Sequence, residues 1–480
     1  MPSTRSFPAA LLALLIALLV PLVAAAGALP EPVSEALARH RLGSSGLSLY
    51  VHAIGESEPI LSLSADEPRN PASVIKLLTT LAALEELGPA YRFRTEAYAT
   101  GKLANGKLDG DLYLKGHGDP YLVIEQFWRL LRGLRQAGIE SIGGDVVFDQ
   151  SHFVAENGDR ADFDGQAMRA YNVLPRALLV NFQAVNIRFI PQGARLRVVA
   201  DPPVPVDNRI RLKPGPCRGG GWTFRVAGNA RLRFAGEYPA ACGEYEMFRV
   251  VTESGPYLHG VFRALWTELG GRLHGGWREA PTPPEARLVH TYYSPPLADI
   301  VRLINKYSNN VMTRQLFLAL GAERSGAPGT TEKGAAAIHA WLERRGLEAP
   351  GLVLDNGAGL SRDVRVSARS LGRVLLAAWD GPYMPEFASA LPVAAVDGTL
   401  RNRFNGDLAG QAHLKTGSLD GVRSLAGYVR NAAGQRVVVV YLHNDPDLTT
   451  RAAEAVQDAL LEWIHRRPLR VTAGAERTED

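Results

Sequence analysis

A helix that starts near Asn70 is apolar almost all the way round, and it restricts the fold more than any other segment. Its residues 77–84 are Leu-Leu-Thr-Thr-Leu-Ala-Ala-Leu, so no side of the helix suits contact with water. Pro71 fits a first helical turn, where its missing N–H costs nothing, and Gly88 provides the stop. The segment is therefore predicted to be a buried helix with other elements packed around it.

Ser73 and Lys76 lie three residues apart at the start of this helix, a spacing that puts both side chains on one face. Free N–H groups and the helix dipole there stabilise a developing alkoxide. Burial and a nearby positive charge would lower the pKa of the lysine, whose neutral form accepts a proton from the serine. The pair is a candidate nucleophile and base. Taken alone, the motif is also compatible with a capping serine and a solvent-exposed lysine.

Ser308 and Asn310 lie two residues apart in a stretch that joins two helical runs, so both side chains can face one cleft. A hydroxyl there can relay a proton, and an amide can hold a substrate carbonyl or a lysine. Lys306 would add positive charge near the same place. The alternative is that this Ser-Asn-Asn stretch only caps the following helix.

Lys415, Thr416, Gly417 and Ser418 follow one another at the end of a predicted strand, residues 411–415. The lysine and the two hydroxyls can bind a carboxylate, and the glycine lets a ligand approach the main chain closely. The N–H of Ser418, with that of Ser73, is a candidate oxyanion hole. A plain junction between a strand and a turn is the alternative.

At 480 residues the chain exceeds one ordinary hydrophobic core, so two or three domains are expected. Short strands begin near residue 91, and alternating strands rich in Gly and Pro fill about residues 185–251. Helical patterns resume at Pro295. We therefore expect one domain split in sequence by an insertion that contains a small β module: first segment 27–90, insertion 91–286, second segment 287–472 and polar tail 473–480.

The second segment ends in three sequential strands followed by a helix at residues 449–464. Such an order predicts an antiparallel sheet with helices packed on its faces, within an α/β (α+β) protein. The final helix is amphipathic, so lying on a membrane is an alternative to closing the domain, and at most peripheral membrane contact is expected.

The first 26 residues resemble a secretory signal peptide, with Arg5, an apolar stretch at residues 9–20 and an Ala-x-Ala site ending at Ala26. A periplasmic protein cleaved near Ala26 is expected, and an uncleaved anchor is the alternative. Cys217 and Cys242, the only two cysteines, fit that compartment as one disulfide, although two free thiols are also compatible with the sequence.

The formal net charge of +4 is mild and spread along the chain, and no basic block is interleaved with aromatic residues. Nucleic-acid binding therefore has no support. The histidines are scattered and no H-E-x-x-H occurs, which disfavours a zinc peptidase. No metal or other cofactor is expected.

Three motifs occur in order: Ser73-Val74-Ile75-Lys76, Ser308-Asn309-Asn310 and Lys415-Thr416-Gly417. Together, S-x-x-K, S-D-N and K-T-G are typical of class A β-lactamases and penicillin-binding proteins. The chain resembles the class C low-molecular-mass penicillin-binding proteins, the D-alanyl-D-alanine carboxypeptidase/endopeptidase family of SxxK serine peptidases. Its first two motifs are separated by the large insertion typical of that family. Further likeness lies in residues 110–114, 116–120, 143–145, 149–153, 355–362 and 396–400.

The resemblance implies a transpeptidase-like domain with accessory domains, acting on peptidoglycan stem peptides and cross-links and binding β-lactams covalently. It implies Ser73 as the acylated nucleophile, Lys76 as the base, and Ser308 with Asn310 as relay and positioning groups. Lys415 and Thr416 would hold the terminal carboxylate of the substrate.

In this family, carboxylate and Arg groups beside the cleft recognise the amino-acid end of diaminopimelate. The resemblance places Asp149 and Arg362 at matching positions, and Asp420 follows the third motif. Surface ion pairs or turn roles are the alternative for these three residues.

Two other functions remain to be separated from a peptidase. A β-lactamase needs a deacylating base, and no Glu stands in a recognisable place for it. A non-catalytic cell-wall sensor would retain antibiotic covalently but release no D-Ala from a pentapeptide.

Overall fold

The structure is a computed structural model that describes residues 29–156, 158–219, 221–228 and 231–467. The predicted signal peptide, its cleavage site at Ala26 and the polar tail lie outside these residues. Among the helices that are described, none has the length and apolar character needed to cross a bilayer.

The secondary structure alternates between helical and strand-rich segments. The helices of the described residues are α1 Glu31–Arg39, α2 Lys76–Leu87, α3 Ile124–Gln136, α4 Ser254–Glu268, α5 Leu297–Tyr307, α6 Asn310–Ser325, α7 Thr331–Arg344, α8 Ala368–Trp379, α9 Met384–Ala390 and α10 Thr450–Arg466. The strands are β1 Leu47–Ala53, β2 Leu61–Leu63, β3 Arg94–Ala99, β4 Lys102–Ala104, β5 Lys107–Asp109, β6 Leu112–Gly116, β7 Ser141–Ile142, β8 Val146–Asp149, β9 Val185–Gln192, β10 Arg195–Asp201, β11 Val206–Lys213, β12 Trp222–Ala227, β13 Arg231–Pro239, β14 Tyr245–Arg249, β15 Arg272–Leu273, β16 Trp277–Glu279, β17 Arg287–Tyr293, β18 Ala412–Leu419, β19 Val422–Arg430 and β20 Arg436–Asn444.

One antiparallel sheet joins the two ends of the chain, in the order β18-β19-β20-β1-β2. Every residue of β1 is buried, because this strand lies between β20 and β2 and is covered on both faces. Val438 and Val440 face a core around α2, whereas Val437 and Val439 face a second core beneath α1 and α10. The sheet with helices on its faces matches the predicted mixed α/β class, which is confirmed.

Helix α2 lies inside a shell of other helices, as its apolar sequence predicts. It contacts α5, α6, α7 and α8, and its residues 76–84 are all buried. Gly88 ends the helix with φ 84°, a backbone angle that glycine adopts without steric cost.

The inserted region contributes two further sheets, ordered β16-β8-β6-β3-β17 and β15-β7-β5-β4. Strand β17, Arg287–Tyr293, pairs with β3, so strand pairing with the inserted region continues beyond residue 286, where the sequence analysis set its end. The chain then returns to the first domain, where the Leu297 N–H donates to the Tyr91 carbonyl (2.8 Å).

The small β module comprises β9 to β14, in two three-stranded sheets ordered β10-β9-β14 and β11-β13-β12. Phe189, Phe234 and Tyr238 pack together between the sheets. Cys217 and Cys242 form a disulfide, with a Cα–Cα distance of 4.7 Å, which confirms the predicted pair.

We expect the double substitution Cys217→Ser and Cys242→Ser to destabilise this module by about 3 kcal/mol, because the disulfide closes a loop of 25 residues. Limited proteolysis in increasing urea, with the cleavage sites identified by mass spectrometry, should show earlier cutting within residues 185–251. Cutting that is equally early near α2 would contradict a local effect.

Candidate active site

Ser73 lies in a single 3-10 turn, Ala72–Ile75, directly before α2. The sequence placed this serine in the first turn of the α-helix itself; the α-helical bonds instead begin at Lys76. Ala72 has φ 45°, a left-handed backbone angle that costs a non-glycine residue free energy. The turn before Ser73 must therefore be held by its surroundings.

Asn70 and Asn444 hold that turn. The Asn70 side chain accepts from the Ala72 N–H (2.8 Å) and donates to the Ser361 carbonyl (2.9 Å). The Asn444 side chain accepts from the Asn70 N–H (2.8 Å) and donates to the Asn70 carbonyl (3.0 Å). These bonds tie the start of the turn to the end of β20.

Lys76 is fully buried and its amine contacts three oxygens. Nζ lies 2.8 Å from the Ser73 hydroxyl and 2.7 Å from the Asn310 amide oxygen, and it also donates to the Ala358 carbonyl. The last two partners can only accept, so a neutral amine uses both of its hydrogens on them and turns its lone pair towards Ser73. Burial, and secondarily the charge of Lys415, lowers the pKa of Lys76 well below its ordinary value.

The loop at residues 355–362 supplies the Ala358 carbonyl. The Thr79 hydroxyl donates to the Gly357 carbonyl (2.8 Å), which fixes the loop against α2. Gly359 has φ 75°, and a Cβ there would lie 2.0 Å from the Ala72 carbonyl oxygen, so only glycine fits. The sequence indicated this segment as part of the family likeness and gave a role to its Arg362, but none to Ala358 or Gly359.

Ser308 and Lys415 face each other across the same cleft. Ser308 ends α5 with φ 55°, and its hydroxyl accepts from the Lys415 amine at 2.8 Å. Lys415 is also fully buried, which lowers its pKa to about 7. Asn309 caps α6 by accepting from the Met312 N–H (3.0 Å), so the expected capping role belongs to the middle residue of the motif.

Strand β18 is the edge of its sheet and lies against the nucleophile turn. The Lys-Thr-Gly motif lies within this strand and not at its end, because pairing with β19 continues beyond Lys415 to Leu419. At Gly417 a Cβ would lie 2.6 Å from the Pro71 carbonyl and 3.0 Å from the Ser73 nitrogen. Glycine is therefore required for the strand to approach Ser73.

Lys306 does not supply free charge to the cleft. Its amine contacts both carboxylate oxygens of Asp397, at 2.8 and 2.7 Å, and donates to the Leu391 carbonyl. This ion pair links α5 to the loop that carries Thr399, whose hydroxyl accepts from that of Thr416 at 2.9 Å. Thr399 thus extends the polar rim of the site, a role that the sequence did not predict.

Two neighbouring open cavities form the cleft, and one of them contains the nucleophile. One, of about 450 Å³, is lined by Ser73, Ser308 and Asn310 together with Tyr171 of the inserted region. The other, of about 530 Å³, shares Tyr171 and Asn310 with the first and is lined further by Phe163, Arg362, Ser418 and Asp420. The inserted region therefore forms one wall of the cleft.

Arg362 and Asp420 lie together in the second cavity. The Arg362 guanidinium donates to the Asp420 carbonyl (2.9 Å) and lies 3.9 Å from its carboxylate. Its other neighbour is the Phe163 ring, 5.5 Å away. Both side chains are more than half exposed, so they are accessible to a ligand.

Asp149 is not brought to the cleft, and its assignment to substrate binding is not supported by the geometry. It is 1% exposed on β8, where its carboxylate accepts from the N–H groups of Ser151 (2.9 Å) and Thr282 (2.8 Å). Burial raises its pKa, but these hydrogen bonds outweigh that effect and lower the pKa overall. The carboxylate stabilises a turn of the insertion, which was the alternative role.

The site therefore has the groups that acyl transfer to a serine requires. It combines a serine hydroxyl, a buried amine with a lowered pKa, a second serine and lysine pair, and the free edge of a strand. Such a constellation suits attack on the carbonyl of a peptide that ends in a carboxylate.

Comparison with known proteins agrees with this chemistry. A model of the D-Ala-D-Ala carboxypeptidase 3 (S13) family matches residues 29–467. The chain is 29% identical over 440 residues to a D-alanyl-D-alanine carboxypeptidase of Actinomadura sp. strain R39, covering 87% of this chain and 80% of that one. It is 25% identical over 430 residues to D-alanyl-D-alanine carboxypeptidase DacB of Haemophilus influenzae, covering 86% and 89%.

Solved structures support the fold. Penicillin binding protein 4 (dacB) from Haemophilus influenzae aligns over 91% of this chain and 99% of that one, with TM-score 0.75 and 24% identity. Bd3459, a predatory peptidoglycan endopeptidase from Bdellovibrio bacteriovorus, aligns over 87% and 92%, with TM-score 0.52 and 18% identity. The predicted resemblance is confirmed: the chain belongs to the D-Ala-D-Ala carboxypeptidase 3 (S13) family and is a serine peptidase of the low-molecular-mass penicillin-binding class.

Proposed function

We propose that the protein cleaves peptidoglycan stem peptides through an acyl-enzyme on Ser73, as a D-Ala-D-Ala carboxypeptidase and as an endopeptidase on D-Ala–diaminopimelate cross-links. One observation carries this proposal. The Lys76 amine contacts the Ser73 hydroxyl at 2.8 Å, while its other two partners are oxygens that can only accept. The lysine is thereby poised as a neutral base.

In the first step, the Ser73 oxygen attacks the carbonyl carbon of the penultimate D-Ala, and its proton passes to Lys76. The N–H groups of Ser73 and Ser418 stabilise the oxyanion of the tetrahedral intermediate. The C–N bond then breaks, and the leaving amine takes a proton through Ser308 or from Lys76. In the second step, water attacks the ester and releases Ser73.

Lys415, Thr416 and Ser418 bind the terminal carboxylate of the substrate in this mechanism. Lys415 is buried, so its charge is costly in the free protein and its pKa lies at about 7. An incoming carboxylate favours the charged form, because opposite charges in a desolvated site attract strongly. Gly417 keeps the strand edge open to the peptide backbone.

Arg362 and Asp420 are proposed to recognise the amino-acid end of the diaminopimelate side chain. The guanidinium suits its carboxylate and the Asp420 carboxylate suits its ammonium. Both groups are exposed in the cavity beside Asn310. A peptidoglycan endopeptidase shares the fold, which supports action on a cross-linked peptide as well.

β-Lactams are proposed to acylate Ser73 as mimics of the peptide. A penicillin binding protein of the same fold is known in complex with a β-lactam. The periplasm is the proposed location, since stem peptides are found there and the first 26 residues resemble a signal peptide.

We expect Ser73→Ala to abolish covalent labelling by a fluorescent penicillin and to reduce D-Ala release from a pentapeptide by more than about 10⁴-fold, because the nucleophile is lost. Labelling on denaturing gels and amino-acid analysis measure the two effects. Ser389→Ala, which removes an exposed hydroxyl on α9, is the matched control and should behave as the wild type. Persistent labelling of the first variant would refute the assignment.

We expect kcat/KM for a D-Ala-D-Ala peptide to fall on both sides of an optimum. At low pH Lys76 gains a proton and ceases to be a base; above about pH 7 free Lys415 loses the charge that binds the carboxylate. Bound substrate keeps Lys415 charged, so kcat should show only the acid limb. Lys415→Arg should lose the alkaline limb, since a guanidinium stays charged; an unchanged alkaline limb in this variant would contradict the role of Lys415.

Arg362→Ala should raise KM for peptides that carry diaminopimelate by roughly tenfold, as one charge-assisted contact is lost, and should leave peptides with an alkyl side chain unaffected. Asp149→Asn should lower the unfolding midpoint without changing either KM. Steady-state kinetics on the two peptides, with thermal unfolding, separate these effects. A selective rise in KM for Asp149→Asn would restore that residue to the site.

A further inference from the structure

The charge of the protein is concentrated in the small β module. Residues 185–251 contain ten Arg and one Lys against two Asp and three Glu, a net charge of +6, whereas the whole chain carries +4. The remainder of the chain is therefore slightly acidic. The positive charge is therefore not spread evenly along the chain, as the sequence analysis states, but lies mainly in this module.

Strand register collects much of this charge on one sheet face. In β11-β13-β12, Asp207 pairs with Arg233 and Arg233 with Arg225, while Arg211 pairs with Glu237. Cross-strand partners and alternate residues share a face. The face so defined, here called the basic face, carries Arg209, Arg211, Lys213, Arg225, Arg231 and Arg233 with the acids Asp207 and Glu237.

The acids of the basic face neutralise only part of its charge. Asp207 pairs with Arg209 (3.0 Å) and more loosely with Arg233 (3.9 Å), and Glu237 pairs with both Arg211 and Lys213 (2.8 Å each). Arg225 and Arg231 are exposed and form no ion pair with any residue that the structure describes. Six cations and two anions leave a net charge of +4.

The opposite side of the same sheet is the module core, with Leu232, Phe234 and Tyr238 buried. The residues that define the basic face include no large apolar side chain. Hydrophobic packing against another domain or protein is therefore not what this face is suited to. Its cations lie on three neighbouring strands, whose backbones are about 4.8 Å apart. They therefore form a two-dimensional array. A single anionic polymer chain would contact a row of cations or a groove along its length. A two-dimensional array of cations instead fits an extended anionic surface.

We propose that the basic face docks on the anionic phospholipid surface of a membrane. Guanidinium groups bind phosphate oxygens in a planar, two-pronged geometry and are more weakly hydrated than ammonium groups, which suits contact with lipid headgroups. Each basic residue near such a surface increases binding roughly fivefold. The absence of large apolar side chains on the described part of this face makes the contact peripheral and reversible by salt.

Co-sedimentation of the purified protein with vesicles tests this proposal. Vesicles of phosphatidylcholine are compared with vesicles that also contain phosphatidylglycerol, at low salt and at about 0.15 M salt. The variant Arg225→Gln/Arg231→Gln/Arg233→Gln removes three charges of the basic face. The matched control, Arg39→Gln/Arg129→Gln/Arg451→Gln, removes three exposed charges elsewhere.

The wild type should bind only the anionic vesicles, more weakly at the higher salt, and the face variant should lose more than about tenfold in binding. The control should stay close to the wild type, and both variants should hydrolyse a soluble D-Ala-D-Ala peptide at the wild-type rate. Equal binding by the two variants, or no preference for anionic vesicles, would overturn the proposal. Retention on purified peptidoglycan through the same three arginines, without vesicle binding, would overturn it as well.

Discussion

The active site depends on burying a lysine that no carboxylate of the described residues contacts. Lys76 has no exposed surface, and an unpaired ammonium in such a place costs several kcal/mol. A carboxylate partner would offset that free-energy cost. It would also keep the amine protonated, and a protonated amine cannot act as a base. The protein instead surrounds Lys76 with an amide oxygen, a backbone carbonyl and the serine hydroxyl, all of which accommodate a neutral amine.

This requirement explains why the site draws on segments far apart in sequence. The partners of Lys76 come from a helix 234 residues away and from a loop 282 residues away. Asn444, 374 residues from Asn70, fixes the strained turn that presents the nucleophile. Each contact is short, so a small displacement of any one of these segments would change the hydrogen bonds, and with them the pKa, of Lys76.

The sequence predicted the parts of the site whose chemistry belongs to side chains in recognisable motifs. Ser73 with Lys76 and Ser308 with Lys415 lie in contact, and the buried helix is surrounded as its apolar pattern requires. The mixed α/β class and the disulfide also follow from sequence. These signals are local or compositional, and folding does not alter them.

Other features leave no such signal. The Ala358 carbonyl acts through backbone, which every residue possesses, and Asn444 matters only because β20 ends beside Asn70. Asp149 fits the family likeness by position, but its hydrogen bonds to Ser151 and Thr282 become visible only once the insertion is folded. The pairing of β17 with β3 leaves no local signal either, because the two strands are almost 200 residues apart in sequence.

Strand β1, near the start of the chain, is completed only by β20, near its end. During synthesis, residues 47–53 therefore remain unpaired with β20 until nearly the whole polypeptide has been made. Pairings this distant form late, after the loop between them has been closed. Because Asn444, at the end of β20, also fixes the turn that carries Ser73, the nucleophile is held in place only after the last part of the polypeptide has been made.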